Sequence, residues 1–284
     1  MSLAPGDIRA VVTDVDGTIL HTDGTLGGAT TSAFAELAAS GIPVLIATGR
    51  TPAGLHVLGV LLKHVSVAVC CSSSVGFDPA TGALLWRHRL AAQVVEHVVG
   101  CLAQSVPDAG IGVYDGQGWT LTDTYFPARG AWPAGPYRVV PQARLADVDG
   151  CSLAISHAVL TSAQIAERLA EAGVRSDEAT VTYAGSRILD VVAPDVDKGV
   201  GVTRALARLG VEPAQAIGFG DAANDLAMFG VVGLPVAVAN AHPAVLAAAR
   251  MVAPANDEDG VARLLAELGL TRRAGSPGPA ASAR

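Results

Sequence analysis

The stretch Val12-Thr13-Asp14-Val15-Asp16-Gly17-Thr18 is the part of the sequence from which the fold can be worked out. It follows a mostly apolar run, Ile8 to Val12, which predicts a short buried strand. Side chains two residues apart on a strand point to the same side, so Asp14 and Asp16 share a side for as long as the strand lasts. Gly17 lets the backbone turn away at once. Both carboxylates are therefore expected at the carboxyl end of the strand, where open α/β sheets bind ligands.

Two aspartates in such a position have a specific chemical use. Together they can hold a hard cation, and one of them can also attack phosphorus. An ordinary junction between a strand and a turn is built from the same residue types, because aspartate, glycine and threonine are common in turns. The motif alone does not separate these two interpretations.

A regular alternation of strand and helix follows the motif. A helix that ends at Gly41 precedes a second buried strand at Pro43 to Ala47. Thr51 followed by Pro52 predicts the start of another helix, and Val65 to Cys71 predicts a third strand. Strands and helices that alternate at these lengths predict a parallel, doubly wound sheet.

The pattern changes after Gly76. Short strands about turns, two helices and a hairpin of Val181 to Ala184 with Ile188 to Val192 indicate an antiparallel sheet that carries helices. The segment from Phe126 to Pro141 is rich in proline and glycine and predicts irregular structure. From Lys198 onward the parallel pattern returns.

The chain is therefore expected to have a discontinuous architecture. Residues 1–76 and 193–270 together predict an α/β core domain, and residues 77–192 predict an α+β lobe inserted into it. Residues 271–284 are rich in glycine, proline, alanine and serine, which predicts a disordered tail.

Composition narrows the possible functions. The 284 residues are 50% hydrophobic and 16% charged, which suits a globular α/β protein with a large buried sheet. The formal net charge of −7 argues against a broad nucleic-acid surface. The four cysteines show no pairing or metal-site spacing, and neither a signal peptide nor a membrane-spanning run is evident. We expect a reduced, cytoplasmic, enzyme-like protein that binds neither nucleic acid nor membrane.

Polar residues stand at the ends of predicted core strands and at the start of a core helix: Asp14 with Asp16, Thr48, Lys198, and Asp221 with Asn224 and Asp225. Transfer of a phosphoryl group needs a nucleophile, a general acid, a cation and donors for the equatorial oxygens, and this set can supply them. Mg²⁺ is the natural cation, because hard oxygen ligands are present and clusters of cysteine and histidine are absent.

The chain resembles the haloacid dehalogenase superfamily of phosphohydrolases, specifically the Cof-type subclass IIB with a large inserted cap. The resemblance covers nearly all of the chain except the tail. It rests on Asp-x-Asp-Gly-Thr at Asp14 to Thr18, the strand-ending Thr48, Lys198 in Asp197-Lys198-Gly199, and Gly-Asp-x-x-Asn-Asp at Gly220 to Asp225. Asn240-Ala241-His242-Pro243 and the segment from Asn256 to Val261 also resemble characteristic segments of this subclass. The implied fold is a Rossmann-like core with an α+β cap over residues 77–192.

The resemblance implies a role for each motif residue. Asp14 is the nucleophile that becomes an aspartyl-phosphate, and Asp16 is the general acid and then the general base. The Asp14 carboxylate, the Asp16 main-chain carbonyl and the Asp221 carboxylate are the implied Mg²⁺ ligands. The implied phosphate-binding residues are Thr48, Gly49, Lys198 and Asn224. Asp225 is expected to support the loop or the lysine, with direct metal contact left open.

Each of these residues also has a purely structural alternative. Thr48 could only end a strand, and Lys198 could be a solvated residue of a first helical turn. Asn224 and Asp225 could be helix caps. Asp190, in the hairpin, is expected at a strand end or at the edge of the cap.

The implied function is Mg²⁺-dependent hydrolysis of a small organic phosphate monoester, with a sugar phosphate as the best single expectation. Two alternatives stay open: a phosphomutase that acts on sugar phosphates, and a regulator that binds a phosphorylated metabolite without turnover. The sequence does not determine the oligomeric state.

Two features bear on specificity. Ser72-Ser73-Ser74 stands next to the cap hinge, where this subclass commonly carries Asn-Gly. The resemblance therefore gives weaker support for a particular substrate than for the reaction. The aromatic and basic residues of the cap could contact a leaving group, but most are expected to form the cap's own core: Trp119, Tyr125, Phe126, Arg129, Trp132 and Tyr137.

Overall fold

The computed structural model describes residues 4–129, 133–185 and 187–272. In chain order its strands are β1 (Ala10–Thr13), β2 (Val44–Ala47), β3 (Val67–Cys70), β4 (Val75–Asp78), β5 (Ala83–Arg87), β6 (Gly110–Tyr114), β7 (Trp119–Leu121), β8 (Tyr137–Val139), β9 (Ser152–Ser156), β10 (Thr180–Gly185), β11 (Ile188–Val192), β12 (Ala216–Gly220), β13 (Leu234–Val238) and β14 (Met251–Ala253). The α-helices are α1 (Gly28–Ala39), α2 (Ala92–Ser105), α3 (Tyr125–Arg129), α4 (Ser162–Glu171), α5 (Lys198–Arg208), α6 (Leu226–Phe229), α7 (Pro243–Ala248) and α8 (Gly260–Glu267). Short 3₁₀ segments connect several of these elements.

The first sheet has eight strands in the order β14-β13-β12-β1-β2-β3-β4-β5. Its six strands from β14 to β3 are parallel, and β1 lies in the middle between β12 and β2. All four residues of β1 are buried, as are those of β2 and β3, because the apolar runs of these strands face packed helices. The strand order reverses between β1 and β12, which is where such sheets form a ligand crevice. The doubly wound α/β fold predicted from the sequence is confirmed.

An antiparallel hairpin extends this sheet beyond the predicted domain boundary. β4 pairs with β3, and β5 pairs with β4, so the first sheet continues to Arg87. The start of the cap at residue 77 stays a prediction, and the strand pairing favours a crossing between the lobes after Arg87.

The second sheet has six strands in the order β10-β11-β9-β6-β7-β8. Its pairs are antiparallel except that β7 and β8 run parallel. Helices α2 and α4 pack together over a separate apolar core that includes Val95, Val98, Ile155 and Leu169. The inserted lobe thus buries a core of its own.

Two local predictions need correction. The segment from Phe126 to Pro141 was expected to be irregular, yet within its described residues it contributes most of α3 and all of β8. Pairing with β7 supplies the backbone hydrogen bonds that the local sequence does not encode. The helix expected after Thr51 is a 3₁₀ segment, Pro52–His64, interrupted at Gly59 with φ 50°. The Thr51 side chain accepts a hydrogen bond from the Gly54 amide and caps its first turn.

In the part of the chain that the structure describes, none of the helices has the length and apolar character needed to cross a bilayer. Within the predicted disordered tail, residues 273–284 lie outside the described residues.

Candidate active site

The site lies at the carboxyl end of β1, beside the point where the strand order reverses. The Asp14 amide still donates to the Phe219 carbonyl of β12, at 2.9 Å, so Asp14 is held in register with the sheet. Gly17 then turns with φ +75°. A Cβ atom on Gly17 would lie 2.5 Å from Asp221 Oδ2, so glycine alone permits this turn to approach Asp221.

Three carboxylates converge on this point. Asp14, Asp221 and Asp225 each offer an oxygen, and these oxygens lie within 4.8 Å of one another. Asp14 is 6% exposed and Asp225 is fully buried, so their negative charges are close together and poorly solvated. Such a cluster requires a nearby positive charge.

Lys198, at the start of α5, supplies a positive charge from inside the protein. Its Nζ lies 3.0 Å from Asp14 Oδ1 and 2.6 Å from Asp225 Oδ1, and the side chain is buried. Burial alone lowers the pKa of Lys198, but the charges of Asp14 and Asp225 outweigh it, so the net pKa is raised and the amine is charged. Lys198 is absent from the residues that line the cavity, because it lies behind Asp14.

The pKa values of the carboxylates reflect the same crowding. Burial raises the pKa of Asp14 well above its ordinary value, although the charge of Lys198 acts against this rise. Burial also raises the pKa of Asp221 to about 6, while the hydrogen bond from Thr18 Oγ1, at 2.8 Å, lowers it. A divalent cation would relieve this crowding, since it would favour the charged carboxylates.

Both carboxylate oxygens of Asp225 accept hydrogen bonds from other parts of the protein. Its Oδ1 accepts from Lys198, and its Oδ2 accepts from the amides of Asp221 and Ala222, both at 3.0 Å. These contacts fix the loop that presents Asp221 and also orient the lysine. They favour the supporting position expected for Asp225 over direct contact with a metal.

Asp16 lies on the other side of the turn and is more than half exposed. Arg50 holds it with two parallel hydrogen bonds, from Nε to Oδ2 at 2.7 Å and from Nη2 to Oδ1 at 2.6 Å. This bidentate contact was not foreseen from the sequence. The available signal was a cation two residues after Thr48, at the end of the neighbouring strand.

The other predicted phosphate-binding residues surround the same space. Thr48 is buried, and its Oγ1 accepts from the Arg50 amide at 3.1 Å. Thr48, Gly49 and Asn224 all line the cavity together with Asp14, Asp16 and Asp221. The Asn224 amide group does not contact Asp14; its Nδ2 donates to the Tyr183 carbonyl of the inserted lobe at 2.9 Å. The structure thus brings the predicted residues together, and their chemical roles stay predictions.

The cavity has a volume of about 520 Å³ and extends from the aspartates to the inserted lobe. Its far wall contains Trp119, Tyr125 and Ile188, and both aromatic side chains are buried. They pack in the apolar cluster that includes the first sheet, rather than in the inserted lobe's separate core, and they also form part of the cavity wall. Phe126 and Tyr137 are instead exposed, and Trp132 lies outside the described residues.

A second polar contact joins the two lobes at the turn between β3 and β4. Ser72 Oγ donates to Asp190 Oδ2 at 2.9 Å, and Asp190 is buried in the middle of β11. The strand-end position expected for Asp190 is wrong, because pairing with β9 and β10 places it in the middle of β11, whereas its contact with Ser72 and its place in the cavity wall agree with the alternative at the edge of the cap. Residues Cys71, Ser72 and Ser73 all have positive φ, a conformation that the common Asn-Gly pair would adopt more easily.

Comparison with known proteins agrees with this architecture. Residues 11–265 match the family model of the haloacid dehalogenase-like hydrolases, and the chain belongs to this family. It is 29% identical over 243 residues to an HMP-PP phosphatase of Cronobacter sakazakii, covering 82% of this chain and 85% of the relative. An HMP-PP phosphatase of Shigella flexneri is 30% identical over 241 residues, covering 83% and 85%.

Solved structures support the same fold. A subclass IIB sugar phosphatase superposes with a TM-score of 0.79 at 18% identity, over 92% of this chain and 99% of the other. The resemblance to the Cof-type subclass IIB is confirmed, as is the prediction that the chain is a phosphoric monoester hydrolase by class.

Proposed function

We propose that this protein hydrolyses a small organic phosphate monoester through an aspartyl-phosphate on Asp14, with Mg²⁺ as its cofactor. The observation that carries the proposal is the position of Asp14: it is a buried carboxylate, 3.0 Å from a charged lysine, and it shares one end of a cavity with Asp221. Lys198 opposes the rise that burial causes in the pKa of Asp14, and a bound divalent cation would favour the charged carboxylate further, as a nucleophile requires.

The donor set fits Mg²⁺, because it consists of oxygen atoms only. Asp14, Asp221 and the main-chain carbonyl of Asp16 would hold the cation, which would neutralise charge on the phosphoryl group. Lys198 contacts Asp14 from the side away from the cavity, and Asp225 holds Lys198 and the Asp221 loop in place.

The reaction proceeds in two displacements. An oxygen of Asp14 attacks phosphorus, the ester P–O bond breaks, and Asp16 gives a proton to the departing oxygen. Asp16 then takes a proton from water as that water attacks phosphorus, which releases inorganic phosphate and restores the Asp14 carboxylate. Asp16 is suited to this exchange because it lines the cavity and is the more exposed aspartate of the pair, so both a leaving group and water can reach it.

The substrate is expected to be a small phosphorylated metabolite. The inserted lobe acts as a cap in this proposal, and a cavity of about 520 Å³ suits a small molecule rather than a macromolecule. Sugar phosphates and the substrate class of the HMP-PP phosphatases are the two chemistries to which the relatives point. A cytoplasmic location is part of the same proposal.

The test is a panel of phosphate esters assayed with Mg²⁺ and with a chelator. We expect release of inorganic phosphate that requires Mg²⁺, and an Asp14→Asn variant that is slower by about 10³-fold or more, since it lacks the nucleophile. Asp108→Asn, an exposed site distant in sequence, is the matched control and should retain full activity. Equal turnover by wild type and Asp14→Asn would rule out the nucleophile. An isomerised phosphate ester as product would instead identify a mutase, and ligand-induced stabilisation without turnover would identify a regulator.

A further inference from the structure

Two asparagines far along the chain contact the turn that carries Asp16. Asn240 follows β13, and Asn256 begins a 3₁₀ segment, Asn256–Glu258, ahead of α8. Asn240 Nδ2 donates to the Gly17 carbonyl at 2.8 Å. The proposed chemistry assigns no role to either asparagine.

The two asparagines act as a connected pair. The main-chain amide of Asn256 donates to Asn240 Oδ1 at 2.9 Å. This contact orients the Asn240 side chain so that its Nδ2 points to the Gly17 carbonyl. Asn256 is itself buried, and its Nδ2 donates to the Leu20 carbonyl at 2.9 Å. The main chain of the turn is therefore held at Gly17 and at Leu20 by one continuous set of hydrogen bonds.

The rest of this segment holds the loop further along. Asp257 accepts from the Thr22 amide at 2.7 Å and from its hydroxyl at 2.8 Å, and Asp259 accepts from Thr30 Oγ1 at 2.9 Å. A Cβ atom on Gly27 would lie 1.7 Å from Asp259 Oδ1, so the approach is close. These contacts lie farther from Asp16 than the contact to Gly17.

The contact to Gly17 matters because the side chain of Asp16 has little packing of its own. Its carboxylate is 57% exposed, so its position depends on the peptide that follows it and on Arg50. The Gly17 carbonyl belongs to the peptide that closes the turn. A displacement of about 1 Å in a catalytic group can lower the rate by about 10²-fold.

We propose that Asn240, oriented by Asn256, is a positioning residue that fixes the Asp16 turn for proton transfer to the leaving group. This inference rests on the proposed function of Asp16 as general acid. Asn240 does not contact the cavity and is not a catalytic residue.

The test uses the leaving group as the readout. Asn240→Asp is isosteric, keeps an acceptor for the Asn256 amide and removes the donor to Gly17. Because p-nitrophenolate departs with little need of a proton, a fault in proton donation slows p-nitrophenyl phosphate far less than an alkyl phosphate. At saturating Mg²⁺ we expect kcat/KM, which covers the steps up to departure of the leaving group, to fall by about 10- to 100-fold for the alkyl phosphate and by less than about threefold for p-nitrophenyl phosphate.

Three further variants make the result decisive. Asn240→Ala repeats the test without the new negative charge and, at an exposed site, should fold. Thr22→Val removes a hydroxyl contact on the same loop and should leave both rates unchanged. Asp16→Asn removes the general acid itself, so it measures how far the rates for the two esters diverge when proton donation is lost.

The outcomes distinguish the inference from the proposed function. If Asp16→Asn shows the leaving-group selectivity in kcat/KM while both folded Asn240 variants have wild-type kcat/KM, or lose it equally for both esters, the positioning role is wrong and the proposed function stands. If the wild type releases no phosphate from either ester, the proposed function itself fails.

Discussion

The two ends of the cavity are built on different principles. At one end, three carboxylates that follow strands of the first sheet lie beside the lysine that begins α5; Asp14, Asp225 and Lys198 are buried and Asp221 is partly exposed. At the other end, Trp119, Tyr125 and Ile188 of the inserted lobe form a largely apolar wall. In the proposed function, the charged end would hold a divalent cation that in turn contacts the phosphoryl group, and the apolar end would contact the remainder of the substrate.

The difference also concerns how each end is held. Lys198 of α5 holds Asp14 and Asp225 together through contacts of 3.0 and 2.6 Å at the carboxyl edge of the first sheet. The apolar end is joined to the first sheet by buried apolar packing and by polar contacts between the lobes, including Ser72 to Asp190 and Asn224 to Tyr183. The comparison therefore predicts large effects for changes inside the charged end and small ones for changes at the junction.

Removal of the buried positive charge should have the largest effect on stability. Lys198→Met leaves Asp14 and Asp225 without their common partner, and breaking a buried ion pair on one side costs about 3–5 kcal/mol. The free energy of unfolding, measured with denaturant at pH 7, should fall by about that amount. Lys63, the other lysine of the chain, is exposed, and Lys63→Met should change stability by less than about 0.5 kcal/mol. Equal effects from the two substitutions would show that the charged end is not electrostatically dependent on Lys198.

The pH dependence of the metal-free protein should be the next largest effect. The pKa of Asp221 is raised to about 6 from an ordinary value of 3.8, so the folded state binds a proton more tightly than the unfolded chain. Stability from this group is present below pH 4 and is lost as the pH rises to about 6. A shift of about two units corresponds to at most about 3 kcal/mol.

Asp221→Asn isolates this contribution. In chelator, the variant should lose less stability than the wild type between pH 4 and 6 and should be the more stable protein at pH 7. Added Mg²⁺ should stabilise the wild type and have little effect on the variant. Thermal unfolding at several pH values measures both. A wild type whose stability rises between pH 4 and 6 by the same amount as the variant's would contradict the burial of this charge.

The junction between the lobes should show the smallest effect. Ser72→Ala removes a donor to the buried Asp190 and should cost about 1–2 kcal/mol of unfolding free energy. Ser73 is the matched control, since its hydroxyl is buried yet has no hydrogen-bond partner among the described residues. Ser73→Ala should be neutral or slightly stabilising. If chemical denaturation gives the two variants the same stability, the Ser72–Asp190 contact does not hold the lobes together.

Most residues of the charged end of the cavity could be predicted from the sequence. Asp14, Asp16, Thr48, Lys198 and Asp221 each follow a strand signal or open a helix, and parallel strands bring their carboxyl ends to one edge of a sheet. Local sequence therefore places these residues, because the path of the chain through a parallel sheet is strongly constrained.

Other features depend on contacts between distant parts of the chain. The sequence places the Arg50 cation two residues after Thr48 but does not indicate its two hydrogen bonds to Asp16, and nothing near Asn240 indicates that it reaches Gly17. β8 is a strand only because β7 lies beside it.

The sequence by itself determined the family, the alternation of parallel strands and helices, and the acidic motif residues, because periodicity and motif spacing are local properties. Only the tertiary structure decided which partner holds each of those residues, where Asp190 lies in its sheet, and how far the first sheet extends. Those outcomes depend on side-chain directions and strand register, which are set when separate segments pack together and share buried hydrogen bonds.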